Sequence, residues 1–262
     1  MAFGYSLGES SMLRALGVWD ERDADGRMAA LRSSPLFRTR LSGPLDAVRE
    51  FWTRQPGAGA GWDVLVLLAE PDAVAAALTG RRGVWISIVN SPREVVVCGD
   101  PDECAKLVAR LGCEHVRMPN RAALHAPPAE AELPEFVRLN RNPTAAVDRP
   151  VFLSAARPGP LVLDEDTLAR TLAEMAVHRL DFPALVERAH AAGARLFVEV
   201  GPGAMLGRLV ESTLAGREHV AISVDRRGVD AQTSLVRALS RLHAHHVPLD
   251  LSGWRSAGTG AG

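Results

Sequence analysis

The sequence predicts an α/β fold in which a parallel-sheet core is interrupted by a smaller α+β subdomain. Three observations carry this. Gly4-Tyr5-Ser6-Leu7-Gly8 has the G-x-S-x-G spacing of a strand–turn–helix elbow. From Trp62 to Met118 the strand and helix patterns run in βαββαβ order. From Val151 onward, short apolar runs alternate with helical periodicity, as in a parallel sheet.

Taken in order, Met1-Ala2-Phe3 offer about one stride of strand before the elbow. Ser10–Leu16 continue the elbow helix, with Met12, Leu13 and Leu16 on one face. A second helix spans about Asp23–Arg32 and ends at Ser33-Ser34-Pro35. Phe37–Leu41 reads as a short strand and Pro44–Thr53 as a helix, an extra βα unit before the subdomain. Gln55–Gly61 is a Gly/Pro/Ala loop. The subdomain follows as strand Trp62–Ala69, helix Asp72–Leu78, a hairpin of Val84–Val89 and Glu94–Cys98 turning at Asn90-Ser91-Pro92, helix Pro101–Leu111 and strand Glu114–Met118. This is the ferredoxin-like order, with its helices expected on one face of the sheet.

Asn140–Pro150 is polar and reads as a loop. Strands follow at Val151–Ser154, Arg195–Val200 and Val220–Val224. Helices are expected at Asp164–Met175, Phe182–Ala192, Met205–Leu214 and Ala231–His243. The predicted organisation is a hydrolase-like core from residues 1–36 and 119–250, an inserted ferredoxin-like subdomain with its extra βα unit at 37–118, and a Gly/Ser/Ala tail at 251–262.

Bulk properties narrow the function. With 262 residues of which 47% are apolar, the chain can bury a substantial core. A formal net charge of −1 argues against a protein that coats nucleic acid or an anionic membrane. Arginines are interleaved with acids, as in Glu21-Arg22-Asp23, and read as solvated surface. Cys98, Cys104 and Cys113 are too few and too irregularly spaced for a disulfide framework, and no C-x-x-C pair suggests zinc. A reducing, cytoplasmic setting with no metal is the expectation. The longest apolar runs have strand length, far short of a membrane span.

Ser6 is the candidate nucleophile. Flanking glycines let the chain make the sharp turn, and the helix that follows aims its first amides, beginning with Leu7, at the reacting group. A bare G-x-S-x-G also occurs as a plain turn opening a helix. A serine needs a base. Of eight histidines, His243, His245 and His246 sit at the end of the last helix, where a cation suits the helix dipole, and His115, His190 and His219 read as strand or surface positions. His178 falls between two helices with no clear context. His125 lies in Ala122-Ala123-Leu124-His125-Ala126-Pro127-Pro128, a short loop after the last subdomain strand, where the two parts join. No Asp or Glu stands in an obvious third position; a Ser-His dyad with a backbone carbonyl orienting the ring is chemically sufficient to set the tautomer. Gly201-Pro202-Gly203 lacks the Lys and length of a P-loop and reads as a packing turn.

Four segments together resemble the acyltransferases of the malonyl-CoA:acyl carrier protein transacylase family, including polyketide synthase acyltransferase domains. They are Gly4-Tyr5-Ser6-Leu7-Gly8-Glu9, with Tyr where the family has His; Asn90-Ser91-Pro92 with Val95-Val96-Val97-Cys98-Gly99; Ala123-Leu124-His125-Ala126; and Val198-Glu199-Val200-Gly201-Pro202-Gly203. The Tyr and the segment after it resemble the divergent type found in polyunsaturated-fatty-acid and iterative polyketide synthases. The resemblance implies transfer of a malonyl-like group from coenzyme A to the phosphopantetheine thiol of an acyl carrier protein through an acyl-serine. Ser6 and His125 would be catalytic, and Leu7 N–H an oxyanion donor. Arg32, near the count at which malonyl-selective members carry an Arg, and Asn90 would be substrate-binding. No bound cofactor is implied. The partners implied are the carrier protein and neighbouring synthase domains such as a ketosynthase. Family members also carry strands and a Gln ahead of the elbow, so an N-terminally truncated core is expected. An inactive remnant of such a domain and a G-x-S-x-G thioesterase or hydrolase are the competing expectations.

Overall fold

A computed structural model of the chain describes residues 1–55, 59 and 61–252. The expected tail, apart from Leu251 and Ser252, and most of the expected loop at 55–61 lie outside the described residues. The chain forms two compact units, one covering Met1–Ala192 and the other beginning at Gly193.

The first unit opens with β1 (Ala2–Phe3), which runs parallel to β6 (Phe152–Leu153). The Ala2 amide donates to the Val151 carbonyl at 2.8 Å. Helix α1 (Leu7–Ala15) follows the elbow and α2 (Ala24–Ser33) comes next. The subdomain is a sheet of β2 (Asp63–Leu67), β3 (Val84–Ser91), β4 (Glu94–Gly99) and β5 (His115–Arg117), with α4 (Pro71–Leu78) and α5 (Pro101–Leu111) as its crossovers, after α3 (Asp46–Thr53). The spatial order β5-β2-β4-β3 is the ferredoxin-like order. A fifth strand, β7 (Leu180–Asp181), adds to the β3 edge in parallel. The remaining helices of this unit are α6 (Leu133–Asn140), α7 (Glu165–Val177) and α8 (Phe182–Ala191).

Both faces of the sheet are covered. Leu65, Leu67, Val95 and Val97 pack with Val74 and Ala77 of α4 and Cys104 and Leu107 of α5. Val64, Val96 and Cys98 face the other way, into a cluster with Trp52, Trp62, Phe136, Ala173 and Val177. Period-two alternation puts successive residues on opposite faces, so burial of both faces makes β2 and β4 continuous apolar runs. The helices expected on one face are therefore joined by a second layer on the other.

One predicted element is corrected. Phe37–Leu41 is not a strand, because Leu36–Arg40 form a π-helical turn. Leu36 and Leu41, five residues apart, are both fully buried, whereas Phe37 is exposed. That spacing fits one wide helical turn, and the Leu41 amide closes it on the Leu36 carbonyl at 2.9 Å. The extra βα unit thus does not exist, although α3 does.

Helix starts follow local chemistry. Asp100, Asp164 and Asp181 cap α5, α7 and α8 by accepting from amides two or three residues on, at 2.8–3.2 Å. In the second unit, β8 (Leu196–Glu199) and β9 (Val220–Ser223) pair in parallel, with α9 (Met205–Thr213) between them and α10 (Ala231–Ala244) after. Glu199 accepts from the Leu206 and Gly207 amides and from Ser223 Oγ at 2.7–3.0 Å. The Gly203 amide donates to Asp225 at 2.9 Å. The Gly-Pro-Gly segment is thus a packing turn, with amides in it and after it taken by side chains.

Candidate active site

The elbow is built on β1, whose last residue leads through Gly4 and Tyr5 to Ser6. Ser6 has φ 52° and ψ −118°, a positive-φ conformation that costs a non-glycine residue about 1–3 kcal/mol and persists only when neighbours fix it. Gly4 is needed for this turn, since a Cβ there would fall onto the Glu9 amide nitrogen and the Gly8 carbonyl. Gly8 has open space around its Cβ position. The turn is closed by the Gly8 amide on the Tyr5 carbonyl at 2.8 Å and the Glu9 amide on the Ser6 carbonyl at 3.0 Å.

Ser6 stands at the N-cap of α1, where a serine hydroxyl ordinarily accepts from a helix amide, yet its side chain makes no cap bond. Ser6 Oγ lies instead 2.9 Å from His125 Nε2. The hydroxyl thus stands at the positive end of the α1 dipole without capping it. Leu7, the first helical residue, is 74% exposed, so the elbow is open to solvent on that side.

His125 is 3% exposed and also has a left-handed backbone, φ 55°. Its amide donates to the Ala176 carbonyl at 2.9 Å. Its Nδ1 faces the Met175 carbonyl at 2.8 Å and the His178 carbonyl at 3.2 Å. Carbonyls only accept, so Nδ1 carries the proton and Nε2 is left as acceptor for the Ser6 hydroxyl. The three carbonyls belong to the last turn and C-cap of α7, the negative end of its dipole. Burial holds the His125 pKa below the usual imidazole value, partly offset by the bonds to Met175 and His178.

Two neighbours, half-buried Tyr5 and buried Glu9, flank Ser6. Tyr5 donates its hydroxyl to Asn90 Oδ1 at 2.7 Å, and Asn90 Nδ2 donates to Glu94 Oε1 at 2.8 Å. The Tyr5 ring packs edge-on against Phe182, centroids 5.5 Å apart. Desolvation, with Glu94 nearby, pushes the Tyr5 hydroxyl pKa well above its usual value. Glu9, on the inner face of α1, is wholly buried. Its carboxylate accepts from Ser154 Oγ and from the Ala155 amide, both at 2.8 Å. Desolvation pushes its pKa up to about 7, against those bonds and the charge of Arg188. Arg188 in turn donates to the Ser154 carbonyl at 2.6 Å and to the Arg157 carbonyl.

The residues singled out from sequence thus fall into two groups. Ser6, Leu7 and His125 converge, and Asn90 joins them through Tyr5. Asn90 is buried with its amide engaged on both sides. Arg32 is an exposed residue in the last turn of α2, a helix with no fully buried residue. Tyr5 and Glu9 enter the sequence reading only as letters of the elbow motif.

No family model matches the sequence. Among curated proteins, the chain is 29% identical over 262 residues to one subunit of the polyunsaturated fatty acid synthase of Thraustochytrium, covering 94% of this chain and 13% of that protein. It is 30% identical over 263 residues to polyketide synthase GfsA of Streptomyces halstedii, covering 97% of this chain and 3% of that protein. Among solved structures, the acyltransferase domain from the second module of the salinomycin polyketide synthase superposes with a TM-score of 0.73 at 22% identity, covering 99% of this chain and 58% of that one. This is the acyltransferase fold. The acyltransferase domain of the iterative polyketide synthase in enediyne biosynthesis is 26% identical, with a TM-score of 0.68 over 97% of this chain and 61% of that one. Homologues and structural neighbours of this acyltransferase-fold chain are therefore synthase proteins, their acyltransferase domains and malonyl-CoA:acyl carrier protein transacylases. It spans a small part of the curated synthases and somewhat over half of these two polyketide synthase domains. Among the described residues no helix is long and apolar enough to cross a membrane.

Proposed function

We propose that this chain transfers an acyl group from coenzyme A to the phosphopantetheine thiol of an acyl carrier protein through an acyl-Ser6 intermediate. The observation that carries the reading is the 2.9 Å approach of Ser6 Oγ to His125 Nε2 at the open end of α1. In the first half-reaction Ser6 Oγ attacks the thioester carbonyl while His125 Nε2 takes the hydroxyl proton. The oxyanion of the tetrahedral intermediate is held by the Leu7 amide and the dipole of α1. Collapse breaks the carbon–sulfur bond, and His125 returns the proton to the departing coenzyme A thiolate. In the second half-reaction the carrier thiol gives its proton to His125 and attacks the acyl-serine. The new carbon–sulfur bond forms, the ester bond to Ser6 Oγ breaks, and His125 returns the proton to that oxygen. Through both halves the imidazolium is stabilised by the Met175 and His178 carbonyls.

For a malonyl group, Arg32 is the proposed partner of the free carboxylate, supported by its residue type and its place in the second helix. Loss of malonyl loading with acetyl loading kept in Arg32→Ala supports that assignment, and equal losses overturn it. The intermediate is tested by intact-protein mass spectrometry after exposure to malonyl-CoA. A Ser6-dependent mass increase is expected, and its absence in a folded chain overturns the reading.

A further inference from the structure

The residue before the candidate nucleophile is tied down on two sides at once, by the subdomain hairpin and by the first residue of α8. Its hydroxyl reaches Asn90, at the end of β3, and Asn90 reaches Glu94, at the start of β4, across the hairpin turn. Its ring rests on Phe182, the first residue of α8, directly after β7 joins the same β3 edge. Asn90 and Glu94 are buried. A side chain docked this way fixes the carbonyl of Tyr5, on which the Gly8 amide closes the turn. Ser6 holds an unfavourable positive-φ conformation, and such a conformation survives only where the residues around it leave no room to relax. Glu9, bound to Ser154 and Ala155, holds the C-terminal side of the turn, and Tyr5 holds the N-terminal side.

We propose that Tyr5 is a positioning residue whose hydroxyl, through Asn90 and Glu94, registers the Ser6 turn against the subdomain hairpin, so that Asn90 acts through Ser6 rather than by touching the acyl group. The inference rests on the reading of Ser6 as nucleophile. Loss of the hydroxyl frees the Tyr5 end of the turn and lets Ser6 Oγ swing away from His125 Nε2. Ångström-scale displacements of this kind reduce rates steeply.

The test uses a fluorophosphonate, which reports Ser6 reactivity without any acyl donor. Ser6 Oγ forms the bond to phosphorus, fluoride leaves, and His125 takes the hydroxyl proton. Tyr5→Phe and Asn90→Ala are each expected to slow phosphonylation about tenfold, and the double variant to be no slower than either, because the two side chains act as one link. Glu94→Gln keeps an oxygen for Asn90 and is expected to stay within about twofold. With malonyl-CoA the loss should fall on kcat per folded molecule, with KM little changed, thermal unfolding of each variant fixing the folded fraction so that general loosening is counted separately. Tyr5→Phe removes one oxygen and keeps the ring, so it reads the link even where Asn90→Ala does not fold. Wild-type reactivity in Tyr5→Phe, or additive losses in the double variant, overturns the proposal. A wild-type chain that reacts with the fluorophosphonate but accepts no acyl group from coenzyme A removes the acyl-transfer reading and leaves this test standing. A wild-type chain inert to the probe overturns both.

Discussion

Ser6 and His125, 119 residues apart in sequence, meet through a hydroxyl that forgoes its own helix: Oγ lies 2.9 Å from Nε2 and makes no cap bond to α1. This arrangement leaves a proton acceptor beside the hydroxyl, at the N-terminus of α1. Removal of either side chain should therefore be far more costly to reactivity than to folding. Ser6→Ala is expected to abolish acyl-enzyme formation, and His125→Ala to slow it by about 10²- to 10⁴-fold. Stopped-flow loading with malonyl-CoA, alongside thermal unfolding of each variant, separates the two effects.

The pH dependence of loading follows from the burial of His125. Its pKa is held below the usual imidazole value, so the neutral, proton-accepting form is complete at a lower pH than for a free histidine. The loading rate is expected to rise from acid pH with a midpoint below that of a free imidazole and to level off above it. A midpoint at or above that of a free imidazole contradicts this, and rates measured across the imidazole range decide it.

Glu9 makes a distinct prediction about stability. Its folded pKa is pushed up to about 7 by desolvation. An unfolded glutamate titrates near ~4.3, so between these values the folded state holds the extra proton and this group's contribution weakens as pH rises. Above the folded pKa both states are ionised, and the differential interaction that has been lost is on the order of 3 kcal/mol. Glu9→Gln has no proton to lose. The difference in unfolding free energy between wild type and Glu9→Gln should therefore fall against wild type from pH ~4.5 to pH ~7 and be flat above it. Urea unfolding of both proteins at several pH values measures it.

The two glycines of the elbow should respond in opposite ways. Gly4→Ala places a Cβ against the Glu9 amide and the Gly8 carbonyl, backbone atoms that cannot yield. It is expected to destabilise by more than about 3 kcal/mol, or to prevent folding. Gly8→Ala meets open space within α1 and is expected to be neutral or stabilising by up to about 1 kcal/mol. Denaturant midpoints of the pair provide the check.

Much of this is legible in the sequence, for identifiable reasons. Strands β2 and β4 are continuous apolar runs because both faces are buried, and Asp100, Asp164 and Asp181 mark helix starts by their capping chemistry. Ser6 and His125 stand out because small residues around each leave a special backbone in place, and both have positive φ. The turn at Leu36–Arg40 reads wrongly as a strand because five-residue spacing of Leu36 and Leu41 imitates neither common period. The roles of Tyr5 and Glu9 are hidden because their partners lie 85 and 145 residues away. Local pattern carries no information about contacts at that distance. The partners of His125 Nδ1 are unreadable for another reason: they are backbone carbonyls, which every residue possesses.

The central claim is that Ser6 accepts an acyl group from coenzyme A with His125 as its base. Intact-protein mass spectrometry after incubation with malonyl-CoA, with Ser6→Ala and His125→Ala in parallel, addresses it most directly. The account predicts a malonyl adduct on the wild-type chain, none on Ser6→Ala, and slow formation on His125→Ala. A folded wild-type chain that takes up no acyl group, or an adduct that survives Ser6→Ala, would contradict it.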